Sequence, residues 1–211
     1  MRRERIAAII LAGGQSRRMG GGDKCLADLA GRPLLSHVLD RLRPQTGAVA
    51  LSANGDPARF SAFGMSVLPD PVDGFAGPLA GLLAGLQWAT TLPGVTHLLS
   101  VAADTPFLPA DLATRLAAAT GENCQTVAVA ASAGRRHPVF ALWPVSCRDA
   151  LAEWLAGTEN RKVGAWLDRH KVEQVSFEPA RYGDETIDPF FNINTPADLA
   201  EANRIAAMVN R

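Results

Sequence analysis

The chain of 211 residues carries 21 basic and 21 acidic residues, and 47% of its residues are hydrophobic. This balance excludes a charge-driven preference for nucleic acid or an anionic membrane, and no apolar run approaches the roughly 18 residues of a membrane helix. With three widely spaced cysteines and no CxxC pair, the composition predicts one compact domain over 1–211 in the cytoplasm.

Short apolar runs, which predict strands buried in a sheet, alternate along the chain with segments of helical spacing. The first run is IAAIILA (6–12), and the helical segment after it, 31–44, has Pro33 near its first turn and Pro44 past its end. The other predicted strands are 48–53, 65–70, 97–104, 126–132 and 137–143. The other predicted helices are 56–64, 77–89, 108–120, 145–157, 161–171 and 194–210.

This alternation predicts right-handed crossovers and a three-layer α/β/α fold with a mostly parallel sheet. The strands 126–132 and 137–143 follow each other with no helix between them, which predicts a hairpin or an antiparallel insertion there. The last helix has a clear start signal, because Thr195 and Asp198 have the spacing of a capping box.

The loop LAGGQSRRMGGGDK (11–24) follows the first predicted strand, where open α/β sheets commonly bind phosphates. Gly13 and Gly14 leave room for backbone N–H groups to approach phosphate oxygens, while Arg17, Arg18 and Lys24 add positive charge. This combination favours a polyphosphate site over a loop of solvated arginines. The spacing fits neither a Walker loop nor a dinucleotide-binding GxGxxG loop, because the lysine lacks a preceding glycine and the first two glycines are adjacent.

Two acidic positions at the ends of predicted strands offer ligands for a cation. Asp104 follows the most hydrophobic predicted strand, at the carboxyl edge that the glycine loop also faces. A carboxylate there suits Mg²⁺, which takes one or two carboxylates together with phosphate oxygens and water; the alternative is that Asp104 only caps the turn before Pro106. Asp70, at the end of strand 65–70, is a second candidate and is preferred to Asp73, although a turn aspartate also has structural uses.

Taken together, these segments resemble the molybdenum cofactor guanylyltransferases, the MobA family of nucleotidyltransferases. The matching segments extend over nearly the whole chain in the family's order. They are LAGGQSRRMGGGDK, GRPLL, LPDPVDGFAGPLAGLLAGL, AADTPFLP and FNINTPADL. The resemblance implies a Rossmann-like nucleotidyltransferase fold and transfer of GMP from GTP to the terminal phosphate of molybdopterin, with release of pyrophosphate.

The resemblance also implies roles for individual residues of a nucleotide site. Leu11, Ala12 and Gly13 would line the guanine and ribose, and Lys24 would contact the phosphates. Asp70 would contact the nucleotide, and Asp104 would bind Mg²⁺, with Mn²⁺ as an alternative ion. Where the family often has an asparagine this chain has Ser52, so either Ser52 keeps one hydrogen bond to the nucleotide or Asn54 replaces it.

Catalysis by this arrangement requires no general base, because the attacking phosphate oxygen is already deprotonated near neutral pH. The predicted catalytic residues are therefore Lys24, Asp104 and Arg18, with Arg18 preferred to Arg17. They would act on the charge that builds up on the pyrophosphate leaving group.

The acceptor is a bulky anionic pterin, which should meet cations and polar groups at the far end of the crevice. Arg135, Arg136 and His137 precede a predicted strand and are candidates for this contact, although a solvated turn is the alternative. Asn192 and Asn194 of FNINTP resemble family positions near the metal and the pterin phosphate. Their alternative role is to turn the chain into the last helix.

Four other functions compete with guanylyl transfer. Cytidylyl transfer to molybdopterin is the nearest, but the related cytidylyltransferases tend to have LAAG where this chain has LAGG; sugar-phosphate nucleotidyltransferases are usually longer. A non-catalytic nucleotide sensor or molybdoenzyme chaperone has less need of both Lys24 and Asp104, and a GTP hydrolase would have a Walker lysine. The expected partners are GTP, molybdopterin and, transiently, molybdoenzymes or their chaperones, without nucleic acid or membrane.

Overall fold

The computed structural model describes residues 1–12, 23–71, 77–121, 125–157, 160–182 and 185–209. The strands are β1 (Ile6–Leu11), β2 (Asp28–Leu29), β3 (Arg32–Pro33), β4 (Ala48–Ser52), β5 (Ser66–Leu68), β6 (His97–Ala102), β7 (Val127–Ser132), β8 (Arg135–Pro144), β9 (Val172–Ser176), β10 (Ala180–Tyr182) and β11 (Glu185–Ile187). The helices are α1 (Leu34–Leu42), α2 (Pro78–Ala89), α3 (Leu112–Thr120), α4 (Cys147–Gly157), α5 (Val163–Leu167) and α6 (Pro196–Val209).

These elements confirm the predicted alternation, with differences at a few boundaries. The segment 56–64 forms a 3₁₀ helix (Pro57–Phe63) rather than an α-helix. Helix α3 begins at Leu112, later than the predicted 108, and the Leu112 N–H still donates to the Pro109 carbonyl at 3.3 Å. Strand β9 was not predicted, because its alternating, mostly exposed residues lack the apolar run that marks the central strands.

Within the described residues, seven strands form one sheet in the order β5-β4-β1-β6-β8-β7-β9. Strand β8 is antiparallel to both of its neighbours, and the other pairings are parallel. The predicted hairpin in the second half of the chain is therefore confirmed as β7–β8. Its two-residue turn, Ala133–Gly134, has positive φ angles of 46° and 75°, the backbone of the turns that match the twist of paired strands.

The two faces of the sheet are each covered by helices, which confirms the three-layer α/β/α fold. On β1, Ile6, Ala8 and Ile10 belong to the cluster that contains α1 and α3, whereas the alternate residues Ala7 and Ile9 belong to the cluster of α2, α4 and α5. Successive side chains of a strand point to opposite faces, so a continuous apolar run is what a strand covered on both sides requires. Of the helices described, none combines the length and hydropathy needed to cross a membrane.

Helix α6 packs outside these layers in a third, smaller apolar cluster. The cluster joins Ile205 of α6 to Leu29 of β2, Ile187 of β11 and Ile193. The predicted capping box is present at the start of α6, because the Thr195 N–H donates to Asp198 Oδ2 at 2.8 Å and the Asp198 N–H donates to Thr195 Oγ1 at 3.2 Å. The cap fixes the start of α6, and the Ile193 N–H, which donates to the Asp104 carbonyl at 3.0 Å, attaches the preceding segment to the carboxyl edge of the sheet.

Candidate active site

The carboxyl ends of the parallel strands bring several predicted nucleotide-site residues side by side. Leu11, the last residue of β1, pairs with Ser52 on β4 and with Ala102 on β6. The pairing continues past the strand, since the Ala12 N–H donates to the Ser52 carbonyl at 3.0 Å and the Ala103 N–H donates to the Leu11 carbonyl at 3.1 Å. Leu11, Ala12 and Ser52 are therefore neighbours at the carboxyl edge of the sheet.

Lys24 and Asp104 meet at this edge as an ion pair. Lys24 Nζ lies 2.6 Å from Asp104 Oδ2 and donates a second hydrogen bond to Asn194 Oδ1 at 2.7 Å. The Lys24 and Asp104 side chains are only 15% and 21% exposed. One cation, one carboxylate and one amide oxygen thus converge from three distant parts of the chain.

The backbone holds this group in place. Asp104 follows the end of β6, and its carbonyl accepts the Ile193 N–H at 3.0 Å, while the neighbouring Thr105 hydroxyl donates to Asn192 Oδ1. The segment 192–194 is thereby attached to the end of β6. The side chains of the two asparagines have different partners, because Asn192 accepts from Thr105 after β6 and Asn194 accepts from Lys24.

The donor set around Asp104 has the chemistry of a magnesium or manganese site with one protein carboxylate. Asp104 and Asn194 both offer oxygen atoms, which hard divalent cations prefer, and Mg²⁺ commonly completes its coordination with phosphate oxygens and water. Among the described residues, no three His, Cys, Asp or Glu side chains form a group that could hold a metal ion by themselves. In the structure, the carboxylate of Asp104 and the amide oxygen of Asn194 both accept from Lys24 Nζ.

A second group of polar side chains lies beyond the ends of β4 and β5. Asn54 and Asp70 form two hydrogen bonds with each other. Asn54 Nδ2 donates to Asp70 Oδ2 at 2.8 Å, and the Asp70 N–H donates to Asn54 Oδ1 at 2.9 Å. Arg59 forms an ion pair with Asp23 Oδ2 at 2.6 Å and also donates to the Asn54 carbonyl. Arg59, which the sequence did not single out, thus connects the residue before Lys24 to the Asn54–Asp70 pair.

Ser52 is buried beneath this group, with 3% of its surface exposed. It packs against Gly81 of α2 so closely that a Cβ atom at Gly81 would lie 2.4 Å from Ser52 Oγ and 2.7 Å from Leu11 Cδ2. The glycine lets α2 approach the ends of β1 and β4, and the close packing fixes the positions of both side chains.

The five predicted acceptor-binding residues line a single cleft of about 390 Å³. They are Arg135, Arg136, His137, Asn192 and Asn194. The two arginines are exposed at the start of β8, directly after the hairpin turn. Asn194 also accepts the hydrogen bond from Lys24, so the cleft adjoins the Lys24–Asp104 pair.

His137 has a more enclosed environment than the two arginines. Its ring packs against Phe190 with centroids 4.6 Å apart and meets Phe140 edge-on at 6.3 Å. Burial lowers the pKa of His137 below its ordinary value, although Asp188 acts in the opposite direction. The lowered pKa favours the neutral ring, and the basic groups of the cleft are Arg135 and Arg136, the second of which pairs with Asp168 at 3.3 Å.

Other predicted residues cannot be placed, and some contributors were not predicted. The loop residues Gly13, Gly14, Arg17 and Arg18, together with Asp73, lie outside the described residues. Unpredicted residues that line or support the cleft include Ser132, Phe140, Asp188 and Phe190. Asp188 has one available signal, since it stands four residues before Asn192, where the NINTP segment begins; the aromatic residues look like ordinary core residues in the sequence.

Known proteins resemble this chain over most of its length. Residues 8–174 match the family model of the MobA-like NTP transferase domain. A Mesorhizobium japonicum protein named molybdenum cofactor guanylyltransferase is 55% identical over 205 residues, which are 97% of this chain and 97% of that protein.

Two solved structures share the fold over nearly the whole chain. Molybdopterin-guanine dinucleotide biosynthesis protein A from Archaeoglobus fulgidus has a TM-score of 0.73 and 26% identity, and the match covers 96% of this chain and 98% of that chain. A Mycobacterium tuberculosis protein, solved in complex with manganese, has a TM-score of 0.65 and 18% identity, with 95% and 98% covered.

Proposed function

The chain belongs to the MobA-like NTP transferase family, and we propose that it transfers GMP from GTP to the terminal phosphate of molybdopterin. The products are the guanine dinucleotide form of the cofactor and pyrophosphate. The supporting observation is the contact of Lys24 with both Asp104 and Asn194. It joins the predicted nucleotide edge of the sheet to the cleft that the predicted acceptor residues line.

In this reaction an oxygen of the acceptor's terminal phosphate attacks the α-phosphorus of GTP. The new P–O bond forms as the bond between the α-phosphorus and the bridging oxygen breaks, and pyrophosphate leaves with that electron pair. The attacking oxygen needs no base, so the residues act by positioning the two phosphates and balancing their charge. We propose that Lys24 contacts the phosphates of GTP and that Arg18 acts with it.

Members of such nucleotidyltransferase families use a divalent metal, and Asp104 is the residue proposed to hold it here. Mg²⁺ is the ion we propose, because one carboxylate with phosphate oxygens is its usual environment. When bound, the ion neutralises charge on the phosphates and the leaving group. Asp104 and Lys24 then have complementary roles, the first holding the ion and the second contacting phosphate oxygens directly.

The other predicted contacts complete a nucleotide site along the ends of β1, β4 and β5. Leu11 and Ala12 would line the guanine and ribose, and Asp70, held by Asn54, would contact the nucleotide. Gly13 and Gly14 would admit the phosphates. Ser52 is packed under α2, whereas Asn54 is exposed and held by two hydrogen bonds with Asp70. This difference supports Asn54, rather than Ser52, as the polar contact to the nucleotide.

The test is product formation by the purified protein with Mg²⁺, molybdopterin and equal concentrations of GTP and CTP, followed by mass spectrometry. The expected product is the guanine dinucleotide. A cytosine product would overturn the base assignment, and GTP binding without any product would favour a nucleotide sensor.

Two variants test the proposed residues in the same assay. We expect Asp104→Asn to lower turnover at least about a hundredfold and Lys24→Met to raise the KM for GTP about tenfold, since each removes one charge that acts on the phosphates. Asp149→Asn is the matched control, because it removes an exposed carboxylate on α4 that pairs with Arg148 at the surface. Equal activity of Asp104→Asn and the control would refute the metal-binding role.

A further inference from the structure

A hydrogen-bonded chain of three side chains supports His137 from below the cleft. Ser132 Oγ lies 2.7 Å from His137 Nε2 and 2.9 Å from Asp188 Oδ1. Asp188 Oδ1 also accepts the Phe190 N–H at 2.9 Å. These hydrogen bonds join the β7–β8 hairpin to the segment before α6. The transfer reaction described above uses neither Ser132 nor Asp188.

The protons available to the Asp188–Ser132–His137 hydrogen bonds determine the tautomer of His137. A carboxylate only accepts hydrogen bonds, so the single hydroxyl proton of Ser132 is donated to Asp188. Ser132 Oγ is then left as an acceptor toward His137, and Nε2 must carry the ring proton that is donated to it. A neutral ring protonated at Nε2 has its lone pair on Nδ1.

The remaining contacts of His137 leave this lone pair free. The ring lines the cleft and packs on Phe190, and the described residues offer no hydrogen-bond partner to Nδ1. Among the described residues, Nδ1 is not a buried unpaired atom, so it keeps some exposure to solvent, and His137 lines the cleft. His137 therefore presents a hydrogen-bond acceptor, not a cation, beside an aromatic wall.

We propose that Ser132 and Asp188 are positioning residues that hold His137 as its Nε2–H tautomer, so that Nδ1 accepts a hydrogen bond from an N–H group of the acceptor's planar heterocycle. The proposal rests on the function proposed above, with molybdopterin as the acceptor. A lone pair repels phosphate oxygens, so this position favours the ring of the acceptor over its phosphate. Phe190, itself only 4% exposed, packs against the His137 ring and holds it at the wall of the cleft. Arg135 is left for the anionic groups, since Arg136 forms an ion pair with Asp168 at 3.3 Å.

Replacement of Asp188 tests the proton arrangement directly. In Asp188→Ala the Ser132 hydroxyl loses its acceptor and turns to donate to Nε2, so the ring proton moves to Nδ1. In Asp188→Asn the side-chain carbonyl still accepts from Ser132 and Phe190, so the Nε2–H tautomer is kept. ¹⁵N NMR of histidine-labelled protein distinguishes the two tautomers, with the His137 signal assigned from a His137→Gln variant.

The dissociation constant of molybdopterin, measured by fluorescence without GTP, gives the functional consequence. We expect Asp188→Ala to weaken molybdopterin binding about tenfold. In this variant the Nδ1–H of His137 faces an N–H of the ligand, so one hydrogen bond is lost and two donors oppose each other. Asp188→Asn should bind as the wild type does, and the affinity for GTP should stay the same in both variants. Ser132→Ala is the second variant and should also weaken molybdopterin binding alone.

Three results would overturn the proposal: an Nδ1–H tautomer in the wild type, unchanged molybdopterin affinity in both Asp188→Ala and Ser132→Ala, or equal loss of GTP and molybdopterin affinity. A merely structural role would produce the last result, since misfolding affects both sites. Failure of the proposed function is a separate outcome, seen as binding of molybdopterin without any transfer of GMP by the wild type.

Discussion

The buried histidine at the start of β6 makes the stability of this protein sensitive to acid. His97 is 3% exposed and pairs with Ile6 on β1 and Pro144 on β8. Its Nδ1 lies 2.9 Å from Thr96 Oγ1, and its Nε2 has no hydrogen-bond partner among the described residues. Burial, followed by repulsion from Arg5 and the N-terminus, lowers the pKa of His97 from 6.5 to about 4.

The direction of the effect follows from where the proton binds. Between the unfolded pKa of 6.5 and the folded pKa of about 4, the unfolded chain takes up a proton that the folded chain excludes. The contribution of His97 to stability is therefore complete above the unfolded pKa and is lost as the pH falls through this window. The shift corresponds to a loss of about 2 kcal/mol between pH 8 and pH 5.

The assay is urea unfolding of the wild type and of His97→Leu at both pH values, followed by tryptophan fluorescence. We expect the free energy of unfolding to fall by about 2 kcal/mol more in the wild type than in the variant. Other histidines with lowered pKa values, His137 and His170, are common to both proteins and cancel in this comparison. An equal decline in the two proteins, or a steeper decline in the variant, would refute the reasoning.

Three further substitutions test local geometry. Gly81→Ala should raise the KM for GTP, because the new Cβ would lie 2.7 Å from Leu11 Cδ2 and displace a side chain that we propose lines the guanine; steady-state kinetics with unchanged KM would contradict this role of Leu11. Ala133→Asn should raise the free energy of unfolding by about 0.5–1 kcal/mol, since φ of 46° suits asparagine better than alanine in such a hairpin turn; a loss of stability in urea would count against it. Thr195→Ala should cost about 1 kcal/mol in the same assay, because the Asp198 N–H loses its capping acceptor; an unchanged midpoint would show that the cap contributes nothing.

Much of the fold and part of the site could be predicted because their signals are local. Strand β1 is an apolar run that any strand covered on both faces needs, and Thr195 and Asp198 are only three residues apart. The signal for Asp104 is also local, because it directly follows a strand. It predicts the carboxyl edge of the sheet, which is where Asp104 lies beside Lys24. Strand β9 was missed because its alternating polar residues carry no such signal.

The amino-acid sequence by itself determined the α/β alternation, the hairpin in the second half of the chain and the family, because apolar periodicity and short motifs are properties of neighbouring residues. Only the tertiary structure decided that Lys24 meets Asp104 and Asn194, which are 80 and 170 residues away. It also decided that Asp188 reaches Ser132 across 56 residues. Such contacts depend on the order of the strands and on where α6 returns to the sheet, and non-local pairing of this kind leaves no pattern in any short stretch of sequence.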